Sequence, residues 1–327
     1  MKTDVVVVGG GIIGCSIAWR LAQQKLRVTV VDAGAIGGES SWAGAGMLAP
    51  GGEIFGDGGW SRRSVESLRM YPEFCEELTE ASGGTEIDFK VTGAREFGDM
   101  VKLRERAETQ AQLGIASVVE HDHVLYPDDA VVNPRDVVAA LREACGRLGG
   151  ATFLEHSAAT GIETGFVSVE GSETLVCDWV VVAAGAWSSR LLPDAPAAFP
   201  VKGHLIGYWM DPGAIGPIYR NGHHYVLQRQ SGYVIAGATT EHAGFDRTVD
   251  PHAVEALHKE TKKVFPDLPD WPIDSWIGFR PGAHGDPVVR PYDKAERVYL
   301  AYGHYRNGIL NAPVTARMVT DAIVRQP

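Results

Sequence analysis

The chain has 327 residues, 45% of them hydrophobic and 22% charged, and a net charge of −11. That length implies two domains, the acidic balance excludes a nucleic-acid-binding face, and no apolar run reaches the roughly 18–20 residues of a membrane span. Cys15, Cys75, Cys145 and Cys177 lie far apart without a CxxC pair. A disulfide framework and a metal site are therefore not expected, and with no signal peptide ahead of the first strand the expected location is the cytoplasm.

The first element is a run of four valines, Val5 to Val8, leading into Gly9-Gly10-Gly11-Ile12-Ile13-Gly14. A helical pattern follows (Ile17, Ala18, Leu21, Ala22), then a second apolar run from Val28 to Val31 that ends in Asp32. Strand, glycine turn, helix, strand and acid at this spacing form a dinucleotide-binding βαβ unit. Gly9 permits the tight turn, Gly11 lets a diphosphate approach the backbone, and Gly14 lets the helix pack closely on the sheet. The free N–H groups at the helix start face the phosphates, and Asp32 is placed to take the ribose hydroxyls.

Residues 38–60 are small and glycine-rich, as expected of main chain lying against a flat ligand. Periodicity predicts helices over 62–81 and 100–113. A third runs from Pro134 to about Arg147, with Asn133 as its N-cap and Pro134 at its first position. A short strand at 151–155 precedes a β-ribbon of Val167–Glu170 and Thr174–Cys177 with a Gly171-Ser172 turn. Asp178 to Ser188 reads as a buried strand ending in small residues. Lys202–Met210, His224–Gln228 and Tyr233–Ala238 read as strands, and 251–265 as a helix ending at Pro266. Val298–Ala301 is a strand, 303–308 a loop and Ala312–Val324 a helix. The return to βα character at the end means that the nucleotide domain is assembled from separated segments.

Ordered along nearly the whole chain are GGESSWAGAGMLAP (37–50), FLEHSAATGIET (153–164), WVVVAAGAWSS (179–189), FPVKGHLIGY (199–208), HHYVLQRQSGYVIAGATTEHAGFD (223–246), WIGFRPG (276–282) and AYGHYRNGILNAPVTARMV (301–319). In these segments the chain resembles the flavoprotein amine oxidases related to D-amino acid oxidase, and within them the glycine oxidases of the thiazole branch of thiamine biosynthesis. The resemblance implies an α/β protein: a discontinuous Rossmann-like FAD-binding domain (1–80, 130–198 and 278–327) and an α+β substrate domain with an antiparallel sheet (81–129 and 199–277).

It also implies noncovalent FAD. Ile12 and Ile13 would lie at the diphosphate with Gly9, Gly11 and Gly14. Asp32 and Ala33 would hold the ribose, and Ala159 would meet adenine through its backbone. Ser40, Ser41, Ala45, Gly46 and Met47 would line the diphosphate and flavin. His304, Tyr305, Asn307, Gly308, Ile309 and Leu310 would wrap the flavin's pyrimidine edge. Some relatives tether flavin to a C-terminal cysteine, and no cysteine follows Cys177.

By the same resemblance Arg280 and Arg306 hold or cover a substrate carboxylate, a group that a guanidinium fork matches geometrically. A structural ion pair is the alternative role for either. Tyr225 and His223 match substrate-side positions, and His223 reads equally well as a loop histidine. Trp42, Met47, Tyr225 and Trp276 are expected to crowd a small pocket.

The implied reaction is oxidative deamination of glycine, sarcosine or a small D-amino acid by oxygen. It would yield an imine or oxo-acid and hydrogen peroxide, with no side chain as obligatory catalyst. The glycine imine could supply thiazole synthesis. A sarcosine, proline or D-amino acid dehydrogenase, a flavin-binding subunit without its own amine chemistry, and an NAD-dependent reductase are the rivals. Partners beyond substrate and oxygen are left open, a homo-oligomer among them. The chain departs from the family in a shortened 93–133 region, in Gln228 where proline is expected, and in Asn311 where an apolar residue is expected.

Overall fold

The computed structural model describes residues 3–53, 58–171 and 174–325. Its six-stranded sheet runs in the order Val288–Pro291, Val298–Tyr302, Trp179–Val182, Val5–Val8, Val28–Val31 and Ala151–Leu154. All pairs are parallel except the first. Parallel strands buried on both faces are expected to be continuous apolar runs, as VVVV is. Alternation divides them between two cores. Val5 and Val7 pack with Ile17, Leu21, Val137 and Ala316 on the helical face. Val6 and Val8 pack with Val167, Val169 and Leu192 on the other. That second layer is the three-stranded sheet of Ala159–Glu163, Phe166–Val169 and Leu175–Val176. Ser172, assigned to its turn from sequence, lies outside the described residues, as do 54–57 of the glycine-rich stretch.

Helix Ile12–Gln23 is covered by Pro134–Leu148 and Ala312–Val324, and helix Gly59–Ala81 packs on these last two. Asn133 caps its helix as expected, its side chain accepting from the N–H of Arg135. The helix Met100–Ala111 has a cap that periodicity does not reveal, Asp99, which accepts from Val101 and Lys102. No helix among the described residues is long and apolar enough to cross a membrane.

The second large sheet has eight strands, in the order Asp274–Ala283, Ala198–Trp209, Tyr233–Gly237, His224–Gln228, Ile218–Asn221, Ala94–Phe97, His123–Tyr126 and Val118–Val119. It is antiparallel except where Ala94–Phe97 runs parallel to Ile218–Asn221. On one face Ile206, Tyr208, Val226 and Val234 pack under helix Pro251–Val264 through Val254 and Leu257. On the other, Leu205, Tyr225, Leu227 and Trp276 meet Ala43 and Ala45 of the glycine-rich stretch. The second face therefore looks toward the nucleotide side. A small sheet of Met47–Leu48, Ala130–Val132 and Phe89–Val91 lies between the two.

One close backbone approach in the nucleotide half is between the first strand's exit and the first helix. A Cβ on Gly14 would stand 1.9 Å from the carbonyl oxygen of Gly9. Backbone cannot yield there without lifting the helix off the sheet. Gly14→Ala is therefore expected to lower the unfolding free energy by about 1–3 kcal/mol, read as a reduced midpoint in urea with an unchanged slope.

Candidate active-site cleft

A cleft of about 610 Å³ opens where the strands Val5–Val8, Trp179–Val182 and Val298–Tyr302 end, and it extends to the apolar face of the eight-stranded sheet. Ligands of open α/β sheets bind at this edge of the parallel strands. Gly9 has φ +108°, and a Cβ there would lie 2.4 Å from Ala183 O. The N–H of Ile12, at the start of the first helix, donates to Ser41 Oγ at 2.9 Å. Ser40 Oγ donates to the carbonyl of Phe279, tying the glycine-rich segment to the eight-stranded sheet. Asp32 accepts from Gly10 N through Oδ2 (2.7 Å) and from Gly34 N through Oδ1 (2.8 Å). Its carboxylate thus holds both flanking turns while still facing the cleft.

Farther along, Gly46 has φ +84° and would carry its Cβ only 1.8 Å from Val132 O. Gly303 (φ +81°) and Tyr305 (φ +50°) take left-handed backbone beside the cleft. Left-handed non-glycine residues cost energy and gather at functional sites. The imidazole of His304 is buried and shares a 2.9 Å hydrogen bond with Thr315 Oγ1. Burial pushes it down to about 3, so it is neutral at ordinary pH.

At the other end lie Tyr225, Arg280, Arg306 and Glu53. Strand alternation turns Tyr225 to the cleft and its neighbour His224 to the helix side, where His224 meets Thr261. Burial raises the Tyr225 phenol, partly countered by Arg280 and Arg306, so it remains a hydrogen-bond donor. Arg280 Nη1 donates to Thr239 O at 3.1 Å, and this guanidinium has no carboxylate partner among the described residues. Burial lowers its pKa, and the nearby Arg306 lowers it further. Gly203 makes room for it, since a Cβ there would lie 2.4 Å from Arg280 Nη1. Arg306 is ion-paired to Glu53 at 2.7 Å.

The cleft gathers Gly9, Gly11, Ile12, Ile13, Asp32, Ala33, Ser40, Ser41, Ala45, Gly46, Met47, Ala159, His304, Tyr305, Asn307, Gly308 and Ile309 in one lining with Tyr225, Arg280 and Arg306. Three residues singled out from sequence lie elsewhere. Gly14 sits behind the turn, against Gly9. Leu310 is buried in the core at 1% exposure. His223 is exposed just ahead of strand His224–Gln228, where its carbonyl accepts from Ala238 N.

The expected crowding also needs correction. Met47 and Tyr225 line the cleft, but Trp42 and Trp276 do not. Trp276 is buried with its Nε1 on Ala43 O, and Trp42 is 44% exposed under the Arg135 guanidinium. Sequence reading does not single out Glu53, in the glycine-rich stretch, or Gly203, inside FPVKGHLIGY, because each acquires its part only from an arginine distant in the chain. The two departures have local reasons. Gln228 accepts from Gly213 and Ile215 and donates to Asp211 and Gly232 carbonyls, which proline could not do. Asn311 Oδ1 accepts from Ser64 Oγ at 3.0 Å.

These residues fit an extended dinucleotide. Glycines whose Cβ atoms would collide with main chain keep the cradle narrow, a helix start supplies N–H groups, and Asp32 is already oriented.

Comparison with known proteins agrees. The family model described as "DAO: FAD dependent oxidoreductase" matches residues 4–322. The chain is 31% identical to glycine oxidase of Bacillus licheniformis, over 100% of this chain and 94% of that one. It is 32% identical to the bifunctional protein ThiO/ThiG of Synechocystis sp. over 99% of its own length, and it spans about half (52%) of that relative. The solved structure of glycine oxidase from Geobacillus kaustophilus superposes with a TM-score of 0.92 at 25% identity, covering 100% of this chain and 95% of that one.

The buried His304 makes stability depend on pH. Its folded-state value of about 3 lies below the unfolded value near 6.5. Its contribution is therefore complete above pH 6.5 and is lost as pH falls from there toward 3. Melting temperatures measured from pH 7.5 to 4 should fall more steeply in the parent than in His304→Gln, which has no proton to gain.

Proposed function

The chain belongs to the DAO family of FAD-dependent oxidoreductases, and from that premise we propose that it oxidises a small amino acid held by its carboxylate. The observation that carries this reading is Arg280: a largely buried guanidinium without a carboxylate partner among the described residues, facing the same cleft as the dinucleotide cradle. A buried unpaired cation is costly, and a substrate carboxylate would complete it as a bidentate pair.

In this reading Asp32, Ala33 and Ala159 hold the nucleoside of FAD, while Gly9, Gly11, Ile12, Ile13, Ser40 and Ser41 hold its diphosphate. Ala45, Gly46, Met47 and the 304–309 segment hold its ring system. FAD supplies the two-electron acceptor, with oxygen as final oxidant and hydrogen peroxide as product. The protein's own part is orientation. Arg280 fixes the carboxylate, and the Tyr225 phenol donates a second hydrogen bond to it. The substrate amine reacts unprotonated. Glu53, the carboxylate closest to this chemistry, is engaged by Arg306, so the cleft offers no free side-chain base there among the described residues. Holding the reacting groups in line accounts for much of such a rate. The imine product hydrolyses to an oxo-acid and ammonia or passes to a later step, thiazole formation being the one suggested by the bifunctional relative's name.

The deciding experiment is an absorbance spectrum of the purified protein followed by a substrate panel read by peroxide release. Glycine, sarcosine and D-alanine are expected to be oxidised in preference to D-phenylalanine and to amines without a carboxylate. Preference for the latter two would refute the proposal. Arg280→Ala should keep the flavin spectrum while kcat/KM falls by on the order of 2–5 kcal/mol in transition-state binding. Arg280→Lys should recover only part, since a point charge does not reproduce the fork. Near-normal kinetics in Arg280→Ala would remove Arg280 from the site.

A further inference from the structure

The substrate end of the cleft holds more positive charge than one carboxylate requires. Arg280 and Arg306 both line it beside Tyr225. Two guanidiniums in one partly buried space repel each other, and Glu53 offsets this by pairing with Arg306 at 2.7 Å. The side chains of that pair are 17% and 13% exposed, so solvent screens them little. Glu53 ends the short helix Pro50–Glu53 and itself faces the cleft.

Among the described residues the other charged groups along the cleft are already engaged: the Arg190 guanidinium stacks over the Phe245 ring at 4.3 Å. Arg229 lies outside the lining and donates to the carbonyls of Ala45 and Val132. Glu39 and Arg247 pair with each other at 2.6 Å, and Asp32 accepts two backbone N–H groups. Among the described residues at the substrate end, the positive charge of Arg280 is left without a carboxylate partner.

We propose that Glu53 is a specificity-determining residue: by masking Arg306 it fits the cleft to amino acids with a single carboxylate and turns it against those carrying a second carboxylate. This rests on reading the cleft as an amino-acid site. A monoanion neutralises Arg280 and leaves nothing over. A dianion brings a second negative charge toward Glu53, with Arg280 already neutralised and Arg306 already paired. Remove the Glu53 charge and Arg306 becomes that receiver.

The test uses unreactive anions and the flavin-loaded protein. Calorimetric titrations with acetate and malonate compare one carboxylate with two, alongside glycine turnover by peroxide release. In Glu53→Gln the affinity for malonate relative to acetate should rise at least about tenfold. The double variant Glu53→Gln/Arg306→Gln should return that ratio to the parent value. An unchanged ratio in Glu53→Gln, or a gain that survives in the double variant, overturns the proposal.

Arg306→Gln alone gives a second arm that does not need Glu53→Gln to fold. Glu53 is then unpaired, and acetate binding should weaken at least about tenfold. The double variant should restore it, because Arg280 again stands alone. Failure to restore would mean that Arg306 touches the anion directly, and would overturn the masking role. A parent that shows the expected anion selectivity but oxidises no amino acid would sink the functional reading and leave this one standing. An active parent whose selectivity ignores Glu53 would do the reverse.

Discussion

The architecture depends on one close approach, that of helix Ile12–Gln23 to the end of strand Val5–Val8. The Gly14 Cα lies so near the Gly9 carbonyl that any side chain would collide with it. That contact sets the helix start beside the C-terminal strand ends, where its free N–H groups face outward into a cleft. Ser41 then reaches Ile12 N, and Asp32 braces the turns at Gly10 and Gly34. Each later contact assumes the first. A helix pushed away by one methyl would move the Ile12 amide off Ser41 and open the narrow floor beneath Gly9 and Ala183.

The opposite wall follows from a different rule, the two-residue period of a strand. In His224–Gln228 it sends Tyr225 and Leu227 to the cleft side and His224 and Val226 to the helix side. In the pairing of Ala198–Trp209 with Asp274–Ala283, Val201 opposes Arg280 and Gly203 opposes Gly278. Both glycines stand where a side chain would strike something functional: the Arg280 guanidinium for Gly203, and Ala43 for Gly278. The arginine is thus accommodated by missing atoms on its neighbour strand and, among the described residues, anchored by the Thr239 carbonyl. It is held in place yet keeps donors free.

The sequence made the nucleotide half readable because local chemistry determines it. VVVV, the glycine turn and Asp32 each have one physical job at a fixed spacing, and Asn133-Pro134 announces its own helix. The resemblance added the family, the cofactor and most of the cleft wall. What could not be read depends on contacts far apart in the chain. Strands such as Ala94–Phe97 and Ile218–Asn221 are short, and the parallel pairing that joins them across a long stretch of sequence leaves no local mark on either. Glu53, one acid within the glycine-rich stretch, acquires its role only from pairing with Arg306, distant in sequence. Trp42 and Trp276 misled for the same reason. Large aromatics near a motif suggest a pocket wall, but a hydrogen bond from Trp276 Nε1 to Ala43 O turns the indole into support for the segment that forms the wall.

The two walls meet with different tolerances. The nucleotide wall is main chain fitted to main chain, so its shape is fixed by steric exclusion and admits little change. The substrate wall is set by charge balance among side chains, in which Arg280, Arg306 and Glu53 act as a group. Charge balance is easily altered, since one substitution shifts it by a full unit without moving the backbone. A fold so divided keeps the dinucleotide cradle constant while the proposed carboxylate pocket remains open to change. On this argument the residues that separate one amino-acid substrate from another lie on the side chains facing Arg280, and the glycine motif says nothing about them.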